Sequence, residues 1–140
     1  KLFFFDVGVY RALRPRGPLD SEEEIEGPAL ETLLFQEVCA LNSYLDLGYV
    51  IHFWRSASGH EVDLVLYGER GLLGFEVKRS SKVQTSDLSS LRAFQRDYPQ
   101  STLWLAHGGT RRWHEGSIRV LPYESLLREL PVILESPSAE

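Results

Sequence analysis

The chain has 140 residues, of which 43% are hydrophobic and 25% charged, with a formal net charge of −5; these are ordinary proportions for one globular domain that buries about two thirds of its unfolded surface. No apolar run approaches the roughly 20 residues that would span a bilayer, and the acidic balance argues against a domain that coats itself in nucleic acid through bulk positive charge. Cys39 is the only cysteine, so an intramolecular disulfide is excluded, and a soluble protein of the reducing cytoplasm with an inert, buried thiol is expected.

In chain order, Lys1 to Asp6 reads as a strand and not as a signal peptide, because no small-residue cleavage site follows it. The absence of any methionine is what a fragment of a longer chain would show. Val7 to Leu13 suits a short helix, which Arg14-Pro15-Arg16-Gly17-Pro18 breaks, since proline lacks the donor a helix needs. Residues 14 to 28, acidic and bounded by glycine and proline, are expected to be a mobile loop. From Pro28 to about Asp46, Leu30, Leu33, Leu34, Val38, Leu41 and Leu45 recur at helical spacing, with Pro28 in the first turn and Gly48 at the end.

Tyr49 to Arg55 then reads as a strand by its β-branched and aromatic content, followed by a turn at Ser56-Ala57-Ser58-Gly59. His60 to Tyr67 and Leu72 to Arg79 form a hairpin around Gly68-Glu69-Arg70-Gly71. Thr85 to Tyr98 is an amphipathic helix carrying Leu88, Leu91 and Phe94, capped by Thr85 or Ser86 and stopped by Pro99. Thr102 to His107 and Ser117 to Leu121 are further strands separated by a Gly108-Gly109 turn, and Tyr123 to Leu130 is a terminal helix. Residues 1–130 make a single domain, and the tail 131–140 is expected to fray after Pro131.

The hairpin carries the chemistry. A four-residue turn sets Tyr67 opposite Leu72, and counting back puts Asp63 opposite Glu76 and Glu61 opposite Lys78, with Cβ atoms roughly 5 Å apart. By the same count Val62, Leu64 and Leu66 oppose Val77, Phe75 and Leu73 on a wholly apolar face. The reverse face then gathers Glu61, Asp63, Glu76 and Lys78. Like charges directly opposite each other require a compensating cation, either Lys78 or a metal ion. Two carboxylates at that separation suit Mg²⁺, or Mn²⁺ in its place, because Mg²⁺ prefers oxygen ligands and keeps several waters. Lys78, two residues along the same face, is placed to lower the pKa of an attacking water or to neutralise charge building on a phosphate. Glu31 shares a helix stripe with Leu34, Phe35 and Val38. It therefore faces the core and needs a positive partner, or else simply favours the positive end of its helix.

Asp63, then Glu76-Val77-Lys78 after a hairpin, preceded by a helix bearing Glu31, resembles the PD-(D/E)XK nuclease superfamily. Its segments Phe4-Phe5-Asp6-Val7-Gly8, Gly27-Pro28-Ala29-Leu30-Glu31, Glu61-Val62-Asp63 and Phe75-Glu76-Val77-Lys78 are similar to the uncharacterised C-terminal domain behind the ATPase module of many prokaryotic AAA-type ATPases. The resemblance implies an α/β fold with a restriction-endonuclease-like αβββαβ core, its mixed central sheet flanked by helices. It also implies a metal pair in Asp63 and Glu76, a catalytic Lys78, an accessory acid in Glu31, and an ATPase domain upstream. Val62 stands where the superfamily's proline would, and Gln95 and Tyr98 only approximate the glutamine-tyrosine motif of some members.

No phosphate-gripping Gly-x-x-x-x-Gly-Lys-Ser/Thr loop occurs here, so any ATPase chemistry lies elsewhere. His52, His60, His107 and His114 lack zinc-like spacing. Trp54, Trp104 and Trp113 suit core or edge positions better than base stacking. Three basic clusters (Arg11, Arg14 and Arg16; Lys78, Arg79 and Lys82; Arg111, Arg112 and Arg119) read singly as solvated surface. Only their convergence would favour DNA or RNA. Two functions are therefore expected to compete: a Mg²⁺-dependent nuclease module, and a catalytically silent nuclease scaffold that binds a partner or regulates an ATPase.

Overall fold

The computed structural model describes residues 6–13 and 22–137. The expected opening strand up to Phe5 and most of the expected loop (residues 14–21) lie outside the described residues.

Asp6 opens α1 (Val7–Leu13) by accepting the Val9 N–H on its carboxylate at 3.0 Å, which satisfies a donor that a helix start leaves unpaired. The next helix, α2 (Glu22–Tyr44), begins six residues before Pro28, where a loop was expected. Acidic residues suit the positive end of a helix, and a proline removes only one rung of the ladder when the flanking turns are well made. Leu34 and Val38 of α2 are fully buried, with Leu30, Leu33, Leu41 and Leu45 packed beside them. Burial pushes the thiol of half-buried Cys39 up from its ordinary pKa, so it stays protonated. Beyond the helix, Asp46 takes a φ of 50° and Gly48 one of 74°. Asn42 then clamps the chain by exchanging two 2.9 Å hydrogen bonds with the Tyr49 backbone.

Six strands follow: β1 (Val50–Arg55), β2 (Glu61–Gly68), β3 (Gly71–Lys78), β4 (Thr102–His107), β5 (Trp113–Glu115) and β6 (Ile118–Pro122). They form one mixed sheet in the order β1-β2-β3-β4-β6-β5. β1, β2 and β3 are antiparallel, β3-β4 and β4-β6 are parallel, and β5 returns antiparallel on β6. β5 is absent from the expected elements, because three residues are too few to show a period. Between β3 and β4 the chain crosses over through a 3₁₀ turn (Thr85–Leu88) and α3 (Ser89–Asp97). The cap is Gln84, in a reciprocal capping box with Asp87, and not Thr85 or Ser86.

The helices lie on both sides of the sheet, as an α/β architecture requires. On one side Leu64, Leu66, Leu73, Phe75, Val77 and Trp104 pack under α2 and α4 (Tyr123–Glu135), with Phe75 and Trp104 stacked at 4.9 Å. On the other, Val65, Leu72, Leu103 and Leu105 pack under Leu88, Leu91 and Phe94 of the crossover. α4 does not stop at Leu130 but continues through Pro131. Buried Leu130, Ile133 and Leu134 hold it there, and the Tyr49 hydroxyl donates to the Leu134 carbonyl at 2.9 Å. Among the described residues no helix is long and apolar enough to cross a membrane.

Candidate functional site

β2 carries one residue more than β1. Val50, Ile51 and His52 pair with Tyr67, Leu66 and Val65, whereas Trp54 and Arg55 pair with Val62 and Glu61. Such a bulge turns the side chains beyond it to the other face. Val62 therefore joins the α3-side cluster and not the Leu64 face where the simple alternation puts it. Glu61 likewise meets its β1 partner Arg55 at 3.0 Å, and not Lys78.

Asp63 sits within the bulge. The β2-β3 ladder runs from Gly68 and Gly71 to Leu64 and Phe75, in the expected register. Where it ends, the Val77 N–H donates to Asp63 Oδ2 at 2.9 Å. The carboxylate thus takes the part of a ladder carbonyl, and this fixes its position against β3. Asp63 is 8% exposed and Glu76 5%, both unusual for carboxylates.

Glu76 follows Gly74 on the α3 side of β3, between Phe75 and Val77, which point into the opposite core. Its Oε1 meets Lys78 Nζ at 2.9 Å. Burial alone would lower the pKa of Lys78, but the charge and hydrogen bond of Glu76, reinforced by the charges of Asp63 and Asp87, outweigh burial and raise it. Lys78 is therefore a held ammonium, half-exposed at the end of its strand. Asp63 and Glu76 both act on Lys78, but Asp63 does not pair directly opposite Glu76 as the count of the hairpin expects, because it lies in the bulge and bonds the Val77 amide instead. Asp87 escapes the sequence reading, although the Gln84-x-x-Asp87 capping spacing could have placed it there.

Glu31 stands half-buried on α2, in the other layer. The charges acting on Lys78 are those of Glu76, Asp63 and Asp87, and Glu31 is not among them.

Among the described residues no three of His, Cys, Asp and Glu stand together as a ligand set. Two carboxylates alone do not suit zinc, which takes three or four protein donors. They do suit Mg²⁺, which commonly uses one or two carboxylates and fills its shell with water and substrate oxygens.

His107 is buried and structural. Its Nδ1 accepts the Gly109 N–H at 2.9 Å, which leaves the proton on Nε2 to bond the Arg111 carbonyl at 2.8 Å. Trp104 is buried in the core, whereas Trp54 and Trp113 are half-buried at its border. Two clefts, of about 790 and 850 Å³, lie elsewhere, the first beside Asp46 and Arg70 and the second between β6 and α4. Neither is lined by Asp63, Glu76 or Lys78, and the convergent buried charges are the stronger sign of chemistry because size alone reacts with nothing.

No curated protein matches the chain. A family profile matches residues 26–126, from within α2 through the whole sheet to the first turn of α4. The chain belongs to the family described as a domain of unknown function, DUF4143.

Proposed function

We propose that this domain is a Mg²⁺-dependent nuclease module of the PD-(D/E)XK type, cutting phosphodiesters of DNA or RNA, with Asp63 and Glu76 as the metal pair and Lys78 as the catalytic lysine. The observation that carries the reading is the pairing of two buried carboxylates on adjacent strands beside a held ammonium. A divalent ion bound there would polarise a phosphate oxygen and acidify a water.

The chain's own residues supply the rest. Asp63 is oriented by the Val77 amide, which donates to its Oδ2 and fixes the carboxylate against β3. Glu76 balances Lys78 until a phosphate arrives. Lys78 then offers its positive charge to the oxygens on which negative charge develops. The core order of a helix, three strands, a crossover helix and a fourth strand supports the restriction-endonuclease-like reading, and Glu31 keeps its place as accessory acid on the family resemblance alone. By the same resemblance the domain lies behind an AAA-type ATPase in a longer cytoplasmic protein.

The test is cleavage. Purified protein with Mg²⁺ or Mn²⁺ is expected to cut a nucleic acid, and Asp63→Ala and Lys78→Ala to abolish cutting. Cutting that persists in both variants eliminates the assignment.

A second reading is favoured by the ion pair itself, since Lys78 balances the charge of Glu76. In it the scaffold is catalytically silent and docks a partner or regulates the ATPase, because a fold alone does not fix an activity. Calorimetric titration separates the two: Mn²⁺ binding that Asp63→Asn abolishes supports the nuclease, and no binding by either protein supports the silent scaffold.

A further inference from the structure

β3 and β4 are parallel neighbours, and the chain leaves their carboxyl ends in two loops that touch. The Gly108 N–H donates to the Ser80 carbonyl at 3.1 Å. A Cβ on Gly108 would lie 2.0 Å from the Arg79 carbonyl oxygen, and one on Gly109 would lie 2.8 Å from that of Ser81. The loops therefore pack backbone on backbone, a closeness only glycine permits.

Each loop is also pinned from within. His107 holds the second through Gly109 and Arg111. In the first, the Ser80 hydroxyl accepts the Lys82 N–H at 3.1 Å and donates to the Lys82 carbonyl at 3.0 Å. The bond from the Gly108 N–H to the Ser80 carbonyl thus joins two loops that carry basic residues distant in sequence. Arg112 is engaged by Glu129. Lys82 and Arg111 are exposed, and neither side chain has an ion-pair partner among the described residues. On a chain of net charge −5, uncompensated cations are thus placed at the carboxyl ends of parallel strands, where open α/β sheets take their ligands.

We propose that the joined loops 79–84 and 108–112 are a binding rim for the sugar-phosphate backbone of a nucleic acid, gripped by Lys82 and Arg111. The inference rests on the nuclease reading for the class of ligand, but it requires no cleavage. Phosphate contacts of this kind give affinity and register without reading sequence.

Binding of a fluorescent oligonucleotide, single-stranded and duplex, is measured by anisotropy in EDTA over a range of salt concentrations. The Lys82→Glu/Arg111→Glu protein is expected to bind at least about tenfold more weakly, with a salt slope lower by about two, one for each phosphate that is no longer neutralised. Arg128→Glu, on the exposed face of α4, is the control and is expected to leave binding unchanged. No binding by the unsubstituted protein, or equal binding by the double variant, overturns the rim. Binding that depends on Lys82 and Arg111, from a protein that never cuts when Mg²⁺ is restored, keeps the rim and removes the nuclease reading. Undiminished cutting by the double variant does the reverse.

Discussion

β3 shows two unlike faces. Toward α2 and α4 it presents Leu73, Phe75 and Val77, apolar to its end and closed by the stacked Trp104. Toward α3 it presents Leu72, Gly74, Glu76 and Lys78, so its apolar character stops halfway. The first face is what burial alone would select. The second holds the carboxylate of Glu76, with that of Asp63 reaching β3 from β2, each more than nine-tenths buried, an arrangement that costs free energy unless cations and hydrogen bonds offset it. That cost is the physical argument for treating the second face as a site and the first as scaffold.

The contrast can be broken by substitution, read as loss of stability in chemical denaturation. Phe75→Ala removes a fully buried ring that stacks on Trp104 and is expected to cost about 3–5 kcal/mol. A loss below about 1 kcal/mol would show that the apolar face does not carry the fold. On the other face Gly74→Ala would bring a Cβ to 2.7 Å from Leu103 Cδ2, inside a closed cluster with Phe94 and Val62. It is expected to cost about 1–3 kcal/mol by overpacking. If Leu103 turns aside freely, the variant will match the parent, and that layer is looser than its burial indicates.

Asp63→Ala takes the acceptor from the Val77 N–H and is expected to cost about 1–2 kcal/mol. Asp63→Asn keeps an oxygen there and is expected to recover most of that stability. Equal destabilisation in both variants would mean that the charge of Asp63, and not its hydrogen bond, holds β2 against β3.

How far the sequence predicts this contrast depends on the range of the interactions that create it. The hairpin is legible because glycines bracket a short turn, and its register from Gly68 to Leu64 follows by counting. The bulge is not. It arises between β2 and its other neighbour, β1, and counting within one hairpin cannot see a residue added against a third strand. Val62 and Glu61 therefore fall on the wrong faces in such a count, while Asp63 reaches the site through its bond to Val77. Pro28 and Pro131 look like helix ends for a related reason: local chemistry disfavours helix across them, and the long-range burial of Leu34, Leu130 and Leu134 overrides it. His107 gives no signal at all, since its two partners lie in a loop whose path only the folded chain defines.

Glu76→Leu is the smallest expected effect on stability and the sharpest test of the contrast. Removing one partner of a fully buried ion pair normally strands the other and costs several kcal/mol, but Lys78 is half-exposed and can turn its ammonium to water. Leucine fills similar space without a charge to desolvate, so stability is expected to stay within about 1 kcal/mol of the parent or to rise. Mn²⁺ binding measured on the same protein is expected to weaken at least about tenfold, because one of the two carboxylates of the pair is gone. A stability loss of about 3 kcal/mol or more would instead make the Glu76–Lys78 pair part of the scaffold. The two faces of β3 would then differ in chemistry but not in purpose, and a buried carboxylate could no longer be taken here as the mark of a site.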